Sequence, residues 1–160
     1  VAVGLGAAAK FAPLALAPLM WNPSGERSPR RALLYTAALA AVLLAAFLPF
    51  VPPGGLGDLY DRTLGFQLGR ESPFSVWGQE PSLDWAQTLV QLAAVNLAAL
   101  LVLVPARKSA VQVAALAAAV LIALQLGTVH WFYLYVVWFA PLVLVALFAR
   151  HGLRSAELRP

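Results

Sequence analysis

The chain contains no cysteine, two histidines and few charged residues, and each scarcity excludes a class of function. Without cysteine there is no disulfide framework, no cysteine-based metal site and no thiol nucleophile, and two histidines cannot form a zinc cluster alone. We therefore expect neither a metal nor a cofactor. The sequence also lacks a phosphate-binding P-loop, a His-Glu-x-x-His pair and a nucleophile elbow, so it has no signature of a soluble enzyme.

Apolar residues are abundant instead. Hydrophobic residues make up 61% of the chain and the mean hydropathy is +0.78, whereas soluble domains are about 45–50% apolar. Most of these residues fall in five runs, each close to the ~20 residues that span a bilayer as a helix. The runs cover residues 1–20, 32–51, 86–105, 109–127 and 131–149. This pattern predicts an all-α, polytopic membrane helix bundle with about five transmembrane segments, in which residues 1–160 form a single integral membrane region.

The charges between the runs predict an orientation. The connections at residues 26–31, 107–108 and 150–159 are basic, whereas residues 51–85 carry five acids against two arginines. Because lysine and arginine mark the cytoplasmic side of a membrane protein, residues 52–85 are predicted to form an extracytoplasmic loop. Short cytoplasmic turns and anionic lipid headgroups explain the pI of about 10.0. The basic residues form no continuous face interleaved with aromatics, so nucleic acid is not an expected partner.

Composition and the start of the chain suggest a source and a context. The alanine-, leucine- and arginine-rich usage is typical of a high-GC bacterium, which predicts a multi-pass protein of the bacterial plasma membrane. The sequence begins at Val1 inside an apolar run, with no basic segment before it. We therefore expect this chain to be the C-terminal part of a longer protein.

The first apolar run holds a lysine at its centre. Lys10 is followed by Pro13, which cannot donate a hydrogen bond to the carbonyl of Ala9. A lysine at the bilayer centre costs roughly 2.5–3.5 kcal/mol on insertion scales. Two interpretations follow. In the first, a broken helix lines a polar cavity in which Lys10 faces an anion. In the second, Lys10 has no such role, because it pairs with a carboxylate elsewhere in a longer protein or because its segment is shallower than a full span.

The loop at residues 52–85 is long for a simple connection and contains several aromatic and aliphatic residues, so it is predicted to be ordered. Asp58 is predicted to cap a short helix that runs to about Leu68. The helical period turns Leu59, Tyr60 and Leu64 of that helix toward the membrane.

Two arginines of this loop are candidates for binding a lipid headgroup or a phosphorylated substrate. Arg62 and Arg70 each carry a planar guanidinium, which can bind a phosphate through two parallel hydrogen bonds. The alternatives are that Arg62 pairs with Asp58 at i,i+4 and that Arg70 forms a salt bridge with a neighbour.

Ser72 and His130 complete the candidate set. Ser72 adds a hydroxyl directly after the Arg70-Glu71 pair. His130 lies in an outer turn before an aromatic-rich stretch, and an imidazole can donate or shuttle a proton near neutral pH. The alternative for His130 is a turn residue hydrogen-bonded to Gln125 or Thr128.

Glutamines in the third run have two explanations as well. Gln87 and Gln91 share one helix face at i,i+4. That face is either a cavity wall or the site of hydrogen bonds between helices, of which the second is favoured.

Three segments resemble the glycosyltransferase 87 family of GT-C-type membrane enzymes. They are Ala-Ala-Ala-Lys-Phe-Ala-Pro-Leu at residues 7–14, Phe-Gln-Leu-Gly-Arg-Glu-Ser-Pro-Phe-Ser-Val-Trp-Gly at 66–78 and His-Trp-Phe-Tyr-Leu-Tyr at 130–135. The resemblance covers essentially the whole chain and implies a GT-C-like fold. It also implies transfer of a hexose, with mannose expected, from a polyprenyl-phosphate donor to an outer-face glycolipid or glycan acceptor, with inversion.

The resemblance places the catalytic carboxylate in an outer loop upstream of Val1, so no catalytic base is assigned in this chain. His130 is the one catalytic candidate. The residues expected to bind the donor phosphate or substrate are Arg70, Arg62, Lys10, Ser72 and His130. Positively charged donors aimed at a departing lipid phosphate would stabilise the charge that develops there.

Two other functions fit the same sequence. A multi-pass transporter or flippase also uses a broken helix with an intramembrane lysine. A non-catalytic membrane subunit of an envelope assembly is the third. The long, ordered outer loop favours the transferase, because transporters seldom need an arginine–hydroxyl motif outside the membrane.

Overall fold

The computed structural model describes residues 1–21, 28–66, 72, 74–129 and 135–157, with side chains to residue 149. All the regular secondary structure in this part of the chain is helical and it contains no strand, so the predicted all-α class is confirmed. The α-helices are α1 (Ala2–Ala9), α2 (Ala17–Met20), α3 (Pro29–Phe47), α4 (Gly55–Tyr60), α5 (Val76–Gln79), α6 (Asp84–Leu100), α7 (Ala110–Leu126) and α8 (Val136–Glu157). Short 3₁₀ helices cover Ala12–Leu16, Leu48–Phe50 and Pro81–Leu83, and a π-helical turn covers Asp61–Gly65.

One helix in the described part of the chain is both long and apolar enough to cross a bilayer, judged by length and composition. It combines α3 with the 3₁₀ turn that follows, over Pro29–Phe50, with a mean hydropathy of 2.2. None of it is buried, so it is not a core helix of this fold. Two shorter apolar helices, Ala110–Leu126 and Val136–Ala149, coincide with the fourth and fifth predicted spans. The number of spans remains a prediction.

The first apolar run is broken. The α1 helix ends at Ala9, and Lys10 takes an extended conformation with φ −157° and ψ 134°. A 3₁₀ helix then begins at Ala12, with Pro13 in its first turn. Proline at residue 13 cannot continue the hydrogen bonds of α1 and would collide with the preceding turn, so the helix must end before it.

The hydrophobic core lies where α2 meets α6 and α7. Its buried residues are Leu19, Ala98, Leu101, Ala117 and Val120. Alanine at the contact positions removes side-chain bulk and lets helix backbones approach closely.

A glycine brings α1 onto α3. A Cβ atom on Gly4 would lie 3.0 Å from the side chain of Val42. Glycine at this position therefore lets α1 and α3 pack closely.

The connection at residues 52–85 begins with the predicted helix, but the helix starts earlier than expected. It begins at Gly55 rather than after Asp58, and Asp58 makes no capping hydrogen bond to the backbone. Gly55 adopts φ +84°, a conformation that glycine tolerates and other residues rarely adopt. This turn reverses the chain after Pro53 and allows the helix to start three residues before Asp58, so the prediction of an Asp58 cap is wrong.

Candidate functional site

The break after α1 exposes the Lys10 side chain and sends it toward the start of α8. Its ammonium lies 4.0 Å from the centre of the Trp138 ring and 5.6 Å from the centre of the Tyr135 ring. The two rings pack edge to face, with centres 4.8 Å apart. Lys10, Tyr135 and Trp138 together form what we call the cation–aromatic cluster.

The two rings contact the ammonium of Lys10 but bring no negative charge to it. A cation over a tryptophan face gains roughly 0.5–2 kcal/mol, depending on exposure. No carboxylate among the described residues pairs with Lys10. An ammonium carries three donors, so the rings can orient this one while its N–H groups remain able to bind an anion.

Polar side chains of α5 and α6 donate hydrogen bonds to backbone carbonyls at the end of α7. Gln87 and Gln91 on α6 both donate from Nε2 to the Gly127 carbonyl, at 3.0 Å each. Trp77 on α5 donates from Nε1 to the Leu126 carbonyl at 2.8 Å. Of the two explanations for the glutamine face, the structure shows the hydrogen bonds between helices.

Gln125 connects the end of α7 to the cation–aromatic cluster. The side-chain Nε2 donates to the Tyr135 backbone carbonyl at 3.2 Å. The backbone carbonyl of Gln125 accepts from the Thr128 hydroxyl at 2.9 Å. The side chain is buried, and its Oε1 has no hydrogen-bond partner among the described residues. An unsatisfied buried acceptor is costly and marks the place where a donor from a ligand or water would be stabilised.

Arg62 forms an ion pair with a residue of its own helical segment. Its guanidinium donates to Asp58 at 3.0 Å in the i,i+4 pair considered from the sequence. The pair is exposed, at 70% for Arg62 and 41% for Asp58. Arg62 therefore has a partner within one turn, and no hydrogen bond or ion pair in the described part of the chain connects it to Lys10 or Ser72.

Ser72 is buried, with 7% of its surface exposed. Its hydroxyl accepts from the backbone N–H of Phe74 at 3.4 Å, a local turn contact. The backbone of Ser72 lies against Gly78 of α5, where a Cβ atom would overlap the Ser72 carbonyl. This geometry favours a turn-forming role for Ser72 over direct contact with a substrate.

We expect Gly78→Ala to lower the free energy of unfolding by about 1–3 kcal/mol, the usual cost of forcing extra volume into a packed site. The added methyl group would meet backbone atoms of Ser72, which cannot rotate away as a side chain can. Thermal unfolding of the purified protein in detergent measures the effect. Gly57→Ala is the matched control, because a Cβ at Gly57 meets nothing within 4 Å and alanine favours helix over glycine. Equal melting temperatures for Gly78→Ala and wild type would contradict the close contact.

Two of the predicted site residues, Arg70 and His130, lie outside the described residues. Their assignments therefore rest on the sequence. The described residues bring no group of three or more histidine, aspartate or glutamate side chains together.

Sequence reasoning missed the partners of Lys10. The six aromatics in the nine residues 131–139 exceed what one helix needs as an interfacial anchor. That excess was the available signal, but it did not point to Lys10. Gln125 was considered only as a hydrogen-bond partner of His130.

Comparisons with family models, with curated proteins and with solved structures gave no match for this chain. Its resemblance to glycosyltransferase 87 thus rests on the three sequence segments given above.

Proposed function

We propose that this chain is part of a polytopic glycosyltransferase of the bacterial plasma membrane. It would cross the membrane about five times and transfer a hexose, with mannose expected, from a polyprenyl-phosphate donor to a glycolipid or glycan acceptor. The active face would be extracytoplasmic, with residues 52–85 on that side. The catalytic carboxylate would be supplied from outside residues 1–160.

The observation that carries this proposal is the ammonium of Lys10 at the break of an apolar segment, which has no carboxylate partner among the described residues. A helix interrupted at a charged residue is tolerated within a membrane where the free backbone groups line a polar site. A departing lipid phosphate develops negative charge, and a fixed cation near it lowers the barrier. The rings of Trp138 and Tyr135 supply the fixed position.

The third and fourth of the proposed spans correspond to helices close to the required length. The α6 and α7 helices have 17 residues each, which is the lower limit of roughly 17–25 residues for a transmembrane helix. Apolar residues continue beyond the end of α6, through Leu101 to Pro105. The α8 helix has 22 residues, and its apolar part ends before Arg150.

The direct test is sugar transfer in membranes that contain the full-length protein. A polyprenyl-phosphate donor with a labelled hexose should yield a labelled glycolipid or glycan. A transporter or flippase, which the broken helix also suits, would move the donor across the bilayer without forming product. Transport without product would overturn the transferase and favour that second function.

Orientation is tested by cysteine labelling, since this part of the protein has no native cysteine. Ser82→Cys in the outer loop should react with a membrane-impermeant maleimide in intact cells. Ala106→Cys, beside Arg107 and Lys108, should react only after permeabilisation. The reverse pattern would invert the topology and move the proposed site to the wrong face.

A further inference from the structure

One face of the α6 helix is exposed along its whole length, and it has a polar side chain near its centre. Its residues recur at intervals of three and four, so they form one stripe along the helix. The large side chains of the stripe are about half exposed or more, with Trp85 at 66%, Leu89 at 56% and Leu92 at 53%. We call this stripe the Asn96 face, and it consists of Trp85, Leu89, Leu92, Asn96 and Ala99.

The opposite face of α6 packs into the core. Ala94 is 1% exposed, and Ala98 belongs to the buried cluster that α6 forms with α2 and α7. Because each residue turns an α-helix by about 100°, both alanines point about 160° away from Asn96. The helix therefore meets its own fold through one side and presents the Asn96 face outward.

Asn96 keeps hydrogen-bonding capacity on the exposed face. Its Nδ2 donates to the Leu92 backbone carbonyl, four residues earlier, at 2.8 Å. A side-chain amide has two N–H donors and a carbonyl acceptor. One donor and the Oδ1 acceptor of Asn96 are therefore left over, and no described residue bonds to them.

The position of Asn96 in the sequence makes this leftover capacity important. Asn96 lies at the middle of the third apolar run, residues 86–105. In the membrane location proposed above, its free donor and acceptor would face hydrocarbon, which offers no hydrogen bond. A polar group of another transmembrane helix is the usual partner of an asparagine in that position.

We propose that the Asn96 face is the interface of a parallel homodimer, in which the Asn96 amides of two copies hydrogen-bond to each other. One free donor and one free acceptor form a self-complementary set, so two copies satisfy each other through two reciprocal N–H···O bonds. Copies inserted with the same topology are parallel, and a two-fold axis places both amides at the same depth. This inference rests on the membrane location proposed above but not on sugar transfer.

The residues around Asn96 fit such a pairing. Leu89, Leu92, Asn96 and Ala99 follow one another at intervals of three, four and three residues. Apolar residues with this spacing around a single asparagine let two parallel helices pack along a seam, and the asparagine fixes their register. The small side chain of Ala99 lets the two backbones approach closely at that point.

Disulfide crosslinking of the full-length protein in its native membrane tests the interface. Residues 1–160 contain no cysteine, and any cysteine elsewhere in the protein is replaced by serine. Leu92→Cys and Ala99→Cys place a thiol on the Asn96 face, where equivalent Cα atoms of a parallel pair come within the roughly 4.4–6.8 Å that a disulfide spans. Both variants should form a covalent dimer on oxidation. Val95→Cys is the matched control, because Val95 is 60% exposed on the same helix but points about 100° away from Asn96, and it should stay monomeric.

Substitutions of Asn96 test the contact between the amides. Asn96→Leu removes both reciprocal hydrogen bonds while keeping the face apolar. It should raise the dissociation constant of the dimer by about five- to thirtyfold, the range for such bonds between membrane helices. Energy transfer between labelled copies, diluted stepwise with lipid in liposomes, measures this constant. Asn96→Gln keeps a self-complementary amide and should dissociate less readily than Asn96→Leu.

A face covered by lipid or by a helix from the rest of the protein would give no covalent dimer through Leu92→Cys or Ala99→Cys, and that result rejects the homodimer. A Val95→Cys dimer as abundant as those two rejects it as well, and so does an unchanged dissociation constant for Asn96→Leu. Sugar transfer is measured on the same membranes. Transfer without crosslinking contradicts the interface alone, and crosslinking without transfer contradicts the transferase alone.

Discussion

Replacing Lys10 by methionine should lower sugar transfer by about ten- to more than a hundredfold while the protein stays inserted at its normal level. Each hydrogen bond to a charged group is worth roughly 1.5–3 kcal/mol, which corresponds to that range in rate. Methionine keeps the length of the lysine stem and makes favourable contacts with aromatic rings, so it can still pack on Trp138. The change therefore removes the charge while leaving the contact that orders the helix break.

The assay is transfer from a polyprenyl-phosphate donor in membranes with matched protein levels. Leu5→Met is the control on the same helix, since Leu5 is exposed and carries no charge. Lys10→Arg, which keeps both the charge and the stacking on Trp138, should retain more activity than Lys10→Met. Full activity of Lys10→Met at normal expression would remove Lys10 from the site, and a loss of protein would assign it a folding role.

Replacing Arg70 should have an effect of similar size, on the basis of the sequence. If Arg70 binds the donor phosphate, Arg70→Lys keeps the charge but loses the two parallel hydrogen bonds. We expect a fall of about ten- to a hundredfold or more for each charge-assisted bond lost, and a larger fall for Arg70→Ala.

Arg62→Ala is the internal control for that result. The Arg62 guanidinium is already 3.0 Å from Asp58 and is 70% exposed, and an exposed ion pair contributes only about 0.2–1 kcal/mol. Arg62→Ala should therefore reduce transfer much less than Arg70→Ala. Wild-type rates for both variants would make the outer motif structural and reject both residues as phosphate ligands.

Several local features of the fold could be predicted from the sequence because they depend on neighbouring residues. Pro13 forces the first helix to end, whatever surrounds it, since the ring removes a donor and collides with the previous turn. The i,i+4 spacing of Asp58 and Arg62 sets their contact once the segment is helical. The start of that helix was predicted wrongly, because the turn at Gly55 was not recognised as a helix start.

Contacts between distant segments were decided by the tertiary structure alone. Lys10 meets Trp138 across almost the whole described chain, and Trp77 donates to the carbonyl of Leu126. Helical periodicity says which side chains share a face, but not which other helix that face meets.

The sequence by itself thus predicted the helical class, and it offered the break before Pro13 and the i,i+4 pair of Asp58 and Arg62 each as one of two alternatives. Only the tertiary structure decided that the lysine at the break lies on the rings of Tyr135 and Trp138, and that both glutamines of α6 bind one carbonyl. The physical reason is the range of the interactions. Backbone sterics and hydrogen bonds act within one helical turn, whereas the partner of an exposed cation depends on how whole helices pack.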